Sequence, residues 1–263
     1  MNRIDKVFKE KKNNVLSVYF TAGYPALEDT MTILEALQES GADVVEIGIP
    51  FSDPVADGPT IQESNQVALK NGMTLKLLVE QLKKMREKIH IPVLLMGYLN
   101  PIMQYGVERF CKDMAEIGVD GLIIPDLPMK AYIKEFRPCF NSNGIHNIFL
   151  ITPQTGEERI RFIDDESEGF IYMVSSASIT GAKSGISQEQ IAYFERVKAM
   201  SLSKPTLIGF GISDHSSFST ACQYSNGAII GSAFVKLLGS SKNIRKDIKE
   251  YVEQVKGLQN LAV

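Results

Sequence analysis

Alternation is the feature that most constrains this chain. Eight short, largely apolar runs recur along it: Val15–Thr21, Asp43–Ile47, Pro92–Met96, Gly121–Ile124, Asn147–Ile151, Phe170–Val174, Thr206–Ile208 and Gly227–Ile230. Such runs suit strands covered on both faces of a parallel sheet. Longer amphipathic stretches fill the gaps: Glu28–Glu39, Thr74–Lys88, Val107–Ile117, Met129–Asn141, Gly156–Asp164, Gln188–Met200, Asp214–Gln223 and Asn243–Val255. In the second of these, Leu75, Leu78, Leu82 and Met85 fall three and four apart behind Thr74, a helix face with its N-cap. Eight units in 263 residues average about 33 residues each, the size of one β/α step. The pattern predicts an α/β chain folded as a single (β/α)8 TIM barrel over residues 1–263, with an N-terminal helix and a short extra helix, Ala233–Leu238, after strand 8. An open doubly wound sheet is the alternative; against it, no G-x-G-x-x-G follows the first strand.

Composition narrows the partners. A formal charge of -3 gives no basic excess of the kind that displaces counterions from a nucleic-acid backbone. The first residues, Met-Asn-Arg-Ile-Asp-Lys, carry no apolar signal core. The uncharged stretch Ile89–Val107 contains Pro92, Gly97, Asn100, Pro101 and Gly106, which argue against a membrane helix. Cys111, Cys139 and Cys222 are isolated and odd in number, as are His90, His146 and His215. Neither set has disulfide or metal-ligand spacing, so a cytoplasmic protein with reduced thiols and no metal is expected.

The active site of such a barrel lies at the C-terminal ends of its strands. Glu46 interrupts an apolar strand there, sharing a face with Val44 and Gly48. A carboxyl group held partly out of water is suited to proton transfer, and a salt bridge to Lys or Arg is the structural alternative. Asp53 and Asp57 follow on a loop stiffened by Pro50, Pro54 and Pro59. Each is either a functional carboxylate or a turn or cap residue of the helix beginning near Thr60. Tyr172 shares a face with Phe170 and Val174, and either meets substrate or fills the core.

Two glycine turns end the chain of units. Strand 7 runs into Gly209-Phe210-Gly211-Ile212, and strand 8 into Gly231-Ser232-Ala233. Loops after strands 7 and 8 are the recurrent phosphate site of this fold, since glycine admits an anion to the backbone and a helix N-terminus supplies N–H donors. The loop Ser175–Ser187 is small, polar and glycine-rich, a lid whose Gly181 and Lys183 can complete the cradle.

Glu46-Ile-Gly-Ile-Pro-Phe-Ser-Asp-Pro-Val-Ala-Asp-Gly-Pro-Thr-Ile-Gln62 resembles the signature of the tryptophan synthase alpha subunit family. Tyr19–Pro25, Leu95–Pro101, Pro125–Pro128, Ile179–Ala182, Gly209–Ile212 and Gly231–Ala233 match in order, so the resemblance covers essentially the whole chain. It implies a carbon–carbon lyase that cleaves indole-3-glycerol phosphate to indole and glyceraldehyde 3-phosphate. The matching positions imply Glu46 as general acid and base and Asp57 as the partner of the indole N–H. They place Tyr172 beside the substrate and Tyr19, Leu95, Thr180 and Phe210 around the indole and lid. Gly181, Gly211, Gly231 and Ser232 would bind phosphate. The resemblance further implies no cofactor in this chain and an α2β2 complex. Its beta subunit would carry pyridoxal phosphate and receive indole through a tunnel. The lid departs from the family pattern: Ser178-Ile-Thr-Gly-Ala-Lys183 stands where Gly-Val-Thr-Gly followed by Ala-Arg is usual. A different phosphate-binding barrel enzyme and a mainly regulatory subunit that activates a beta subunit are the two alternative classes.

Overall fold

The apolar runs pair in parallel and in chain order. The computed structural model describes residues 1–55, 57–175, 186–209 and 211–258. Its strands are β1 (Val15–Thr21), β2 (Val44–Gly48), β3 (Val93–Met96), β4 (Gly121–Ile123), β5 (His146–Ile151), β6 (Ile171–Val174), β7 (Thr206–Gly209) and β8 (Gly227–Ile230). They close into a barrel, with β8 returning to β1 in the register Val15↔Gly227 and Ser17↔Ile229. Closure leaves no free edge, which sets aside the open-sheet alternative.

Alternation along each strand sorts the side chains into two cores. Leu16, Val18, Phe20, Val45, Ile47 and Leu95 belong to the outer core with helix residues such as Ile33, Leu37, Phe110 and Met114. Val15, Val44, Leu94, Ile123, Ile148, Phe170, Leu207 and Ile229 fill the barrel itself. The helix Arg3–Glu10 plugs the N-terminal end, with Ile4 fully buried and Phe8 5.8 Å from Phe170 between ring centroids. Each fully buried Ile or Phe side chain contributes roughly 1.5–3 kcal/mol, so the filled interior leaves the C-terminal end as the place for a site.

Three of the departures from the expected helices lie along the barrel's flank and have a local cause. Thr74 caps its helix, its Oγ1 accepting from Leu77 N–H, but the α-helix stops at Leu82 and a 3-10 turn, Met85–Glu87, follows. That turn keeps Met85 fully buried, continuing the apolar face in a tighter winding. The expected helix Met129–Asn141 is divided into Met129–Ala131, a π turn Tyr132–Phe136 and Arg137–Ser142. Pro138 has no N–H to return to the carbonyl of Lys134, and the Arg137 N–H instead reaches back to Tyr132 O. Leu99–Tyr105 forms a helix inside the uncharged stretch, with Pro101 in its first turn, where no intrahelical N–H is missed. Among the described residues, no helix is long and apolar enough to cross a membrane.

Candidate active site

Two strand glycines make room for the side chains that shape the barrel mouth. A Cβ on Gly48 would lie 2.1 Å from the Tyr19 hydroxyl, and one on Gly209 would lie 2.3 Å from the Tyr172 hydroxyl. The two tyrosines therefore fold across neighbouring strands and bring their phenols into the mouth. Both are buried, and burial pushes both phenols well above their ordinary range. Asp57 and Glu46 reinforce the rise in each. The four groups therefore share one electrostatic environment.

Glu46 stands at the centre of β2, opposite Tyr19 on β1 and Leu94 on β3. It is completely buried. The Ser17 hydroxyl donates to its Oε1 over 2.7 Å, while among the described residues its Oε2 has no hydrogen-bond partner. Loss of water is the dominant influence and raises the carboxyl to about 7, against a smaller lowering by Ser17. The salt-bridge reading of Glu46 is thus set aside: no cation pairs with it among the described residues. A carboxyl group balanced near neutrality can both give and take a proton.

Asp57 comes from the loop after β2. The next helix, Pro59–Lys70, is capped by Gly58 without a side-chain bond, so the cap role weighed for Asp57 is not the one it plays. The Tyr98 hydroxyl donates to Asp57 Oδ2 over 3.3 Å, and Phe51 lies 5.1 Å from the Tyr98 ring. Desolvation raises Asp57 to about 6, opposed by the Tyr98 bond. It stays largely ionised at neutral pH. Asp53 is exposed and accepts from its neighbour Ser52 over 2.5 Å.

A cavity of about 560 Å³ opens above these groups. Tyr19, Asp57, Ile61, Met96 and Tyr172 line it together with Gly211, Ser213, Gly231, Ser232 and Lys236. Gly211 has φ +79, a left-handed conformation that favours glycine. The helix after β8 is longer than expected, Ser232–Ser240, and starts directly after Gly231. Its first-turn N–H groups have no intrahelical acceptors, which suits an anion at this end of the cavity. Among the described residues, no group of three or more His, Cys, Asp or Glu is arranged to hold a metal ion.

The structure thus gathers Glu46, Asp57, Tyr19, Tyr172, Gly211, Gly231 and Ser232 at one mouth, with Glu46 just beneath the cavity rather than on its wall. Thr180, Gly181 and Phe210 lie outside the described residues, as does Lys183. Leu95 is a correction. It is 1% exposed in the outer core, because Leu94 and Met96 take the inward positions of β3, and Met96 lines the cavity in its place. Lys236 was not anticipated; its position four residues after Ser232, one helical turn along the same face, is the signal that points to it.

Comparison with known proteins decides the family. The model of the tryptophan synthase alpha chain family matches residues 6–263. The chain belongs to the tryptophan synthase alpha chain family. It is 55% identical over 255 residues to the alpha chain of Flavobacterium psychrophilum, covering 97% of this chain and all of that relative. It is 55% identical over 258 residues to that of Christiangramia forsetii, covering 98% and 100%. Among solved structures, the alpha subunit from Legionella pneumophila superposes with a TM-score of 0.88 at 32% identity, covering 99% of each chain. A tryptophan synthase from M. tuberculosis in an aminoacrylate-bound form gives 0.84 at 29% identity, covering 97% of this chain and 98% of that one. The family's activity is cleavage of indole-3-glycerol phosphate, and membership makes this chain a lyase of tryptophan biosynthesis.

Proposed function

We propose that Glu46 and Asp57 carry out the retro-aldol cleavage of indole-3-glycerol phosphate in this chain. Glu46 Oε2 delivers a proton to C3 of the indole ring. The hydroxyl on the side-chain carbon attached to C3 gives up its proton to Glu46. The bond between that carbon and C3 then breaks. Its electron pair returns to the ring, and the side-chain carbon becomes the aldehyde of glyceraldehyde 3-phosphate. One proton enters and one leaves, so a single carboxyl group ends as it began. Protonation at C3 places positive charge on the ring nitrogen, where the Asp57 carboxylate supplies a fixed counter-charge in a partly dry site. The observation that carries this reading is the fully buried Oε2 beneath the cavity, unpartnered among the described residues.

The phosphate would sit on the N–H groups around Gly211, Gly231 and Ser232, with Lys236 adding a positive charge to a cradle otherwise built of neutral donors. Tyr19, Met96 and Tyr172 would flank the indole. The same reading extends to Thr180, Gly181 and Phe210 through the family motif. It places the chain in the cytoplasm, without a cofactor of its own, and in an α2β2 complex in which pyridoxal phosphate belongs to the beta subunit.

The test is product analysis on the purified chain with indole-3-glycerol phosphate, with and without a beta subunit. Indole and glyceraldehyde 3-phosphate in equal amounts, faster with the partner, are expected. Turnover to any other product, or none in either condition, would overturn the reading.

A further inference from the structure

Ser17 breaks the pattern of its strand. In Val15-Leu-Ser-Val-Tyr-Phe-Thr21 it occupies an inward position, with Val44 and Ile229 as its register partners on the two neighbouring strands. Val15, Val44 and Ile229 all belong to the apolar interior of the barrel. A hydroxyl there loses its water, so it costs stability unless it finds a partner. Its partner is Glu46: both residues are 0% exposed, and the Ser17 Oγ donates to Oε1 over 2.7 Å.

The two carboxyl oxygens are therefore not equivalent. A hydroxyl donor on Oε1 is compatible with both protonation states only if the exchanging proton resides on Oε2. Ionised Glu46 accepts from Ser17 through a charged oxygen. Protonated Glu46 still accepts through Oε1, now the carbonyl oxygen, with its own proton on Oε2. Placing that proton on Oε1 would force the Ser17 hydroxyl to turn and accept, leaving its own proton among the apolar Val15, Val44 and Ile229 with no acceptor among the described residues. Oε2, without a partner among the described residues, is the atom left for exchange with a bound molecule.

From this geometry we infer that Ser17 is a positioning residue for the cleavage reaction, which fixes Oε1 of Glu46 and confines proton exchange to Oε2. The inference rests on the reading of Glu46 as the acid and base. The Ser17 bond is stronger to the ionised carboxyl than to the neutral one, so it also opposes the rise that burial imposes.

The experiment is a pH titration of the Glu46 carboxyl by difference infrared spectroscopy, run alongside single-turnover cleavage, on the full chain and on Ser17→Ala, Ser17→Thr and Ser17→Cys. Glu46→Gln identifies the carboxyl band. In Ser17→Ala the Glu46 midpoint should rise by about one pH unit, the size expected for loss of one charge-assisted hydrogen bond. The single-turnover rate at neutral pH should fall by about tenfold with KM little changed. Ser17→Thr keeps the hydroxyl and should restore both midpoint and rate. Ser17→Cys, a near-isosteric weak donor, should fall between them, and it holds the test open if alanine does not fold. A midpoint and rate unchanged in Ser17→Ala or Ser17→Cys, or a folded Ser17→Thr as impaired as alanine, would overturn the inference. Normal cleavage by Glu46→Gln would instead overturn the reading on which it rests.

Discussion

At the N-terminal end of the barrel Asp120 is 3% exposed and accepts from Arg3 over 3.0 Å, Arg86 over 2.5 Å and the Val93 N–H over 2.9 Å. At the other end of the strands Glu46 is fully buried and accepts from one serine hydroxyl, with Oε2 unpartnered among the described residues. Both carboxyl groups have left water, and both sit beside parallel strands. Asp120 has its lost hydration replaced in full, so it braces β3 to the helix Arg3–Glu10 and to the turn before β4. Glu46 has its hydration replaced by half, so its charge is held at a cost. The same contrast recurs around them. Asp43 accepts from Leu16 N–H over 2.8 Å and from Lys11 over 2.6 Å, and Asn226 Oδ1 accepts from Thr206 N–H over 2.8 Å. Asp57, at the mouth, has a long bond from Tyr98 at 3.3 Å. Asp43, Asp120 and Asn226 at the closed end hold strands in register, while Glu46 and Asp57 at the open end keep acceptor capacity for a ligand.

If that division is right, substitutions at the two ends should separate stability from activity. The largest stability effect belongs to Asp120→Ala. Removing the carboxylate strands a partly buried Arg86, at a cost of about 3–5 kcal/mol by urea unfolding, with near-normal kcat in whatever fraction stays folded. A loss of kcat without a loss of stability would break the comparison from the structural side.

Glu46→Gln should act in the opposite direction on stability. The carboxyl rises from its ordinary 4.5 to about 7 on folding, so the folded state holds the proton more tightly than the unfolded chain. Stability then falls as pH rises from about 4.5 through 7 and levels above that. Glutamine has no charge to bury, so near pH 8 the variant should exceed the wild type by up to roughly 3 kcal/mol, a gain that vanishes at acid pH. A pH-independent difference in unfolding midpoints would show that Glu46 is not charged at a cost.

The smallest effect is expected at Lys236, whose charge lies at the water-exposed rim. Lys236→Ala should weaken glycerol 3-phosphate binding by about three- to tenfold in calorimetry, with a shallower dependence on salt. An unchanged affinity would leave the anion site to backbone N–H groups alone.

How much of this was legible in the sequence depended on contrast. The strands stood out because runs buried on both faces carry few charges, and Glu46 stood out because a carboxylate inside β2 violates that rule. The asparate-bearing turns Gly41-Ala-Asp43 and Gly118-Val-Asp120 were visible as helix-to-strand corners, but not the bonds their side chains make. Leu95 and Met96 offered no contrast: both are apolar, and only the closed barrel fixes which of the two faces inward. Ser17 is a small hydroxyl of a kind found in many strands, and its meaning comes from Glu46 lying across the sheet. The π turn at Tyr132–Phe136 escaped because the apolar periodicity runs through it while Pro138 alters the hydrogen bonding underneath. The Leu99–Tyr105 helix escaped because its proline reads as a breaker until its place in the first turn is known.

The central claim is that the half-satisfied carboxyl beneath the mouth performs the chemistry. Single-turnover cleavage of indole-3-glycerol phosphate by folded Glu46→Gln, with the beta subunit present, tests it most directly. The account predicts a fall of roughly 10²–10⁴-fold with substrate binding retained. Cleavage at a near-normal rate would contradict it.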